Sequence, residues 1–492
     1  MRPLHYCGTK DSYECADKLL LAGADPMLKD DVGYYPVHIA AKSAAAQTLD
    51  VIISGGMMQG YTRTEMLNLR DKENNMPLHA AVNGGDLKAV EACVRAGASV
   101  SAQQDDKSTG VHLAAAQGNL EMIKLMNKLQ PQNFCMAIGT TDVQDRTPLH
   151  RAAVFNHHKV VQYLLDEGAD VDTTDKSDNT ALLLAASKGC WETVQVLVNN
   201  NADMKVKDRD QRNFLHLAIR FGGRLQEFIG KKNISGLLDE KDAWGCTPLH
   251  YAAKEGHLQA ISDLIAMGAS VNPKNKEKQS PFHFAAKFGR FNTIRRLLDS
   301  DQGSNIINET DWCGMTALHH AAQNGHTKIL TLLLQRGASC HRDHEDNTAL
   351  HHAAQEGWTH SMKILLGIHS NLRDLHNNMG ETALHVAAKH GRQSAVRLLL
   401  TMDARIEMNR EKKTFFDYVI ENKESEVALD RCMIESDGDK QSKDYYIEYN
   451  FKFLTRTAEA REQLRKKGKY QALESLNVSF GFLITKLTNH DT

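Results

Sequence analysis

Long hydrophobic runs are missing from this sequence. The longest apolar stretch, residues 476–485, is about half of the ~20 residues a helix needs to cross a bilayer. The chain is therefore expected to be soluble or peripheral. Residues 1–5 run straight into patterned sequence, so no N-terminal signal peptide is expected either. Proline is scarce, at 9 of 492 residues, and aromatics make up only 6%. Nine cysteines with no CxxC pair fit a reducing compartment rather than a disulfide scaffold. Neither charge dominates: Lys+Arg is 59 against Asp+Glu 61, a net of −2. A coat for nucleic acid or for an anionic membrane needs a basic excess, so neither role is expected. Phosphate-binding loops, nucleophile elbows, HExxH zinc helices and dinucleotide fingerprints are all absent, and no cofactor or enzyme activity is expected.

Histidine, by contrast, is abundant, at 24 residues. Either the chain binds much metal, or one structural unit keeps reusing the same letter. The sequence answers this directly. Thr147-Pro148-Leu149-His150 recurs at 247–250, as Thr-Ala-Leu-His at 316–319, 348–351 and 382–385, and in looser copies ending at His5, His38, His79, His112, His216 and His283. Two degenerate copies end at Leu183 and Asp417. Steps between these thirteen positions run from 32 to 41 residues and cluster near 33. That period and the T-P-L-H-x-A signature belong to ankyrin repeats. An all-α fold follows: a solenoid of helix–turn–helix units with hairpin fingers over residues 1–425, in about thirteen copies, then a short irregular or helical tail.

In the copy from Thr316, Leu318, Ala321 and Ala322 lie on one face of a short first helix, where small side chains let the neighbour approach. Gly325 and His326 break that helix. Ile329, Leu332, Leu333 and Leu334 then form the stripe of a second helix, and Gly337 ends it. A polar finger over residues 339–347 leads to the next copy. Eleven histidines hold the fourth motif position, where the ring can bond the Thr hydroxyl and nearby backbone; His150, His250, His319, His351 and His385 are the clearest. Three more, His157, His257 and His326, follow seven residues later. Most of the surplus is thus structural, and no metal site is expected.

Three steps are long, with extra residues near 57–65, 131–141 and 301–308. These are expected as loops, serving either a binding face or nothing beyond tolerated length. The carboxylates around Asp71 and Asp208 lack the glycine and glutamate of a calcium loop and are expected as solvated finger tips. Cys190, Cys246, Cys313 and Cys340, all inside repeats, are expected to be structural.

Past residue 425 the pattern stops. Residues 426–443 read as a polar connector, and residues 444–492 as an aromatic and basic segment. Asp444-Tyr445-Tyr446-Ile447-Glu448-Tyr449-Asn450-Phe451 packs three Tyr and a Phe into eight residues, a density that suggests docking. Residues 452–469 carry seven basic and two acidic side chains: a solvated helix face, or a neighbour of anionic headgroups. A long ankyrin stack followed by residues 429–433 and then by this aromatic motif closely resembles the cytoplasmic N-terminal half of the transient receptor potential ankyrin channels. There the motif lies in the linker before the first transmembrane helix.

The resemblance implies a homotetrameric, calcium-permeable, non-selective cation channel at the plasma membrane, whose cytoplasmic repeats serve sensing, assembly or modulation. Without a membrane span, this chain is expected to partner full-length subunits and not to conduct ions itself. It also implies electrophile-reactive cysteines in the linker. Cys432 sits at a matching position, while Ser442 replaces a second. Tyr445, Tyr446, Tyr449 and Phe451 would form the linker's docking motif. The alternative is a free ankyrin adaptor that binds a protein partner in its groove.

Overall fold

The computed structural model describes residues 1–220, 234–300, 303–421, 433–435 and 447–449. Two compact units divide the chain: residues 1–248 with 266–269, and residues 249–265 with 270–492. Each is a stack of helix pairs. In the first, the inner helices Pro36–Lys42, Pro77–Gly84, Gly110–Gln117 and Pro148–Val154 pack one on the next. In the second, Pro281–Lys287, Ala317–Gln323, Ala349–Glu356 and Ala383–Lys389 do the same. Behind each inner helix lies an outer one, such as Thr327–Gln335 behind Ala317–Gln323.

The sequence dictates each pair locally. Thr or Ser at the N-cap holds an extended backbone, and Pro at the first helical position supplies a preset φ where no N–H is needed. Ala321 and Ala322 are fully buried, as are Leu318, Leu330 and Leu333. Each buried leucine contributes about 2 kcal/mol of apolar burial, which no isolated pair could obtain. Gly337 closes its outer helix at φ 82°, a left-handed conformation that costs glycine nothing.

The three insertions are not loops. The first extends an outer helix to Ala46–Met58 and adds Arg63–Leu67, which buries Met66 and Leu67. The second is a helix, Pro131–Gly139, with Phe134, Ala137 and Ile138 inside. The third includes the helical turn Gly303–Ile306 and buries Ile306 and Ile307. Apolar residues within each insertion gave the added length something to bury. Of the tail, only two short segments lie within the described residues. Met433–Glu435 pairs antiparallel with Ile447–Tyr449, Met433 lying opposite Tyr449.

Candidate functional site

The motif histidines are the best-defined polar feature of both units. His150 shows the geometry. Its Nε2 lies 3.1 Å from the carbonyl of Asn179, in the next finger. A carbonyl can only accept, so Nε2 carries the proton and Nδ1 is the acceptor. That nitrogen takes the Thr147 backbone N–H at 3.1 Å and the Thr147 hydroxyl at 2.9 Å. The ring is a neutral clamp, one side on its own helix cap and the other on the next repeat. His351 repeats this between Thr348 and the Glu381 carbonyl, and His385 between Thr382 and the Glu407 carbonyl. His250 reaches the Gln279 carbonyl at 3.0 Å, and His319 keeps the Thr316 half of the arrangement. At the caps Arg2 and Tyr35 the Nδ1 of His5 and of His38 is left without a partner, whereas the Met76 and Asn213 backbone N–H groups still donate to His79 and His216.

Burial pushes these rings toward the neutral form. His79, His112, His319 and His351 are held down to about 4, and His283 to about 3. The position after the motif histidine adds a second clamp. His320 meets Asp311 at 2.9 Å and His352 meets Asp343 at 2.8 Å, while Arg151 pairs with Asp142. Burial raises the Asp311 carboxyl, but the His320 hydrogen bond and charge outweigh it and bring it to about 2.

Those aspartates correct one expectation. Asp71 and Asp208 are buried, not solvated. Each finger carries Asp, Asn or, once, Gln eight residues before the fourth motif position. At Asp175 the carboxylate accepts the N–H groups of Ser177 and Asn179, folding the turn. Adjacent fingers then share a backbone bond, as from Lys176 N–H to the Gln144 carbonyl and from His344 N–H to the Cys313 carbonyl. The eight-residue spacing from turn residue to motif histidine is the signal in the sequence that marks these aspartates as buried.

The slot seven residues after the motif histidine works similarly. His157 donates from Nε2 to the Ala116 carbonyl and His326 to the Lys287 carbonyl, where Trp358 and Arg392 use Nε1 and Nε on Gln323 and Gln355. Each side chain lies over a glycine of the preceding repeat; a Cβ on Gly325 would come within 2.6 Å of the Trp358 ring.

Cys190 and Cys246 are buried and Cys340 is half-buried, but Cys313 is exposed, because it occupies a finger turn beside Trp312. No disulfide joins any of the eight described cysteines. Trp312 is 66% exposed on that finger tip and Trp244 is 52% exposed on its own, two surface aromatics that composition did not single out. Cys432, Tyr445, Tyr446 and Phe451 lie outside the described residues, and Tyr449 is defined only in its backbone. No group of three or more metal-ligating side chains converges among the described residues, and no helix there is long and apolar enough to cross a membrane.

Helix pairs, capped inner helices and hydrogen-bonded fingers define an ankyrin-repeat protein. The family model for ankyrin repeats matches in overlapping stretches from residue 4 to residue 412. The transient receptor potential cation channel subfamily A member 1 of Drosophila melanogaster is 41% identical over 92% of this chain, and that of Homo sapiens is 35% identical over 98%. The chain spans 42% and 47% of those two relatives' lengths. Among solved structures, the ankyrin repeat domain of Bcl-3 aligns with 44% of this chain and 94% of its own, at 21% identity and a TM-score of 0.38. The chain belongs to the ankyrin-repeat family and, over nearly all of its own length, is similar to transient receptor potential ankyrin channel subunits.

Proposed function

We propose that this chain is the cytoplasmic ankyrin region of a calcium-permeable, non-selective cation channel subunit and works by protein–protein contact in sensing, assembly and modulation. One observation carries the reading. Similarity to the human channel subunit extends over 98% of the chain, past the repeats and through the aromatic linker motif. A generic adaptor has no reason to carry that linker. In this reading the repeats lie on the cytoplasmic side of the plasma membrane, and the chain associates with full-length subunits in a homotetramer. Tyr445, Tyr446, Tyr449 and Phe451 dock the linker, and Cys432 is the thiol open to electrophiles.

Co-expression with a full-length channel of the family tests this. The expected result is co-purification with the channel and a changed current or surface level. Unchanged current and surface level, with no co-purification, would overturn it in favour of the free adaptor. For Cys432, mass spectrometry after mild iodoacetamide treatment is expected to show it labelled ahead of buried Cys93, whose thiol burial pushes up to about 12.

A further inference from the structure

Beyond Leu258–Ala266, whose one charged residue is the buried Asp263, four successive outer helices of the second unit carry charge of one sign. Phe291–Leu298, Thr327–Gln335, Thr359–Ile368 and Gln393–Thr401 stack in that order. Together they hold Arg295, Arg296, Lys328, Lys363 and Arg397, all exposed, and not one Asp or Glu. This is not a general habit of the fold. In the first unit, outer helices mix signs, with Asp50, Glu91, Glu121, Asp166 and Glu192 among their residues. Nor is it the balance of the chain, whose net charge is −2. Asp299 and Glu356, at helix ends, are engaged by Arg336 and Arg392, and Asp263, beside the Ser262 that Arg296 reaches, is buried.

Register makes the pattern a stripe. Arg295, Lys363 and Arg397 occupy the same turn of the first, third and fourth of these helices, each following a buried pair: Thr293–Ile294, Ser361–Met362 and Ala395–Val396; the second helix has Thr331 there and Lys328 one turn earlier. Between the last two helices runs an open groove of about 450 Å³, lined by Thr359, Lys363, Gln393, Ser394, Arg397 and Thr401. Its hydroxyl, amide, ammonium and guanidinium donors suit carboxylates.

We propose that this face binds an extended acidic segment of a protein partner. Helix axes packed 8–10 Å apart place the first and last of these helices about 30 Å apart, the reach of roughly nine extended residues. A small polyphosphate would fill the groove and leave Arg295, Arg296 and Lys328 unused. An anionic membrane is disfavoured because surface-binding helices insert large apolar side chains, and among those of these helices only Ile368, at one helix end, is exposed.

The test uses the whole chain. A fluorescent twelve-residue peptide of Glu and Asp interspersed with Ser and Gly is titrated by anisotropy, with a Gln/Asn counterpart as the neutral probe. The acidic peptide should bind, and the neutral one should not. Arg295→Glu with Lys363→Glu and Arg397→Glu should weaken binding at least tenfold while the thermal melt moves by only a few degrees. The same three residues changed to Gln should weaken it less, which keeps the test valid if the reversal fails to fold. Lys88→Glu with Lys124→Glu and Lys159→Glu, on outer helices of the first unit, should leave binding unchanged. Equal loss from both reversals would overturn the proposal, as would no binding at all. Stronger retention on phosphatidylserine vesicles, or displacement by micromolar inorganic tripolyphosphate, would overturn it in favour of a headgroup or phosphate site.

Discussion

At the scale of the residue, one imidazole ties two repeats together. His351→Leu keeps much of the volume but strands the Thr348 N–H and the Glu381 carbonyl. Urea denaturation should show a loss of about 2–4 kcal/mol; a change below about 0.5 kcal/mol would mean the clamp is idle. The pH dependence has a definite sign. Folded rings resist protonation down to about 4 at His79, His112, His319 and His351, while unfolded ones take a proton near 6.5. The unfolded chain therefore binds more protons between those values. Stability is fully present above about pH 6.5 and falls as pH drops toward 4, by up to ~1.4 kcal/mol per pH unit for each such ring. Melts at pH 7, 6 and 5 measure this, and a flat or rising profile on acidification would contradict it. Recurrence made the histidines legible in the sequence. Their second bond was not, because the accepting carbonyl sits 29 to 30 residues away at His150 and His351 and carries no side-chain signature.

At the scale of the element, the glycines and the inserted helices carry the expectations. Gly325 has φ 72° and the Trp358 ring above it, so Gly325→Ala combines backbone strain with a clash and should cost about 1–3 kcal/mol. Pairing it with Trp358→Ala should recover part of that loss in a double-mutant cycle; strict additivity would show that the two do not touch. Phe134→Ala should cost about 3–5 kcal/mol, since the inserted helix Pro131–Gly139 buries that ring completely. A surface loop would lose almost nothing. The helical nature of two insertions was readable after all. Pro131 stands at a first helical position, and Thr62 forms a reciprocal cap with Glu65. Length alone had suggested loops.

At the scale of the molecule, stability in a repeat stack is a sum of units and their junctions, so damage stays local. Tryptophans report on this conveniently, because Trp191 and Trp244 fall in the first unit and Trp312 and Trp358 in the second. In single-tryptophan variants, His351→Leu should lower the urea midpoint read by Trp312 and leave that read by Trp191 nearly unchanged. Coincident shifts would show one cooperative transition instead.

The finger turns also set where the chain can change length. From each turn-forming Asp, Asn or Gln to the fourth motif position the count is always eight, whereas from that position to the next finger it ranges from 24 to 33 residues. The short interval holds the carboxylate turn, the helix cap and the imidazole clamp, where one added residue would break all three. The long interval ends in an outer helix whose far end is free to grow. Gene-level insertions and deletions should therefore survive only there, and a fluorescent or affinity label spliced between residues 368 and 370 should fold where the same label between residues 345 and 347 would not.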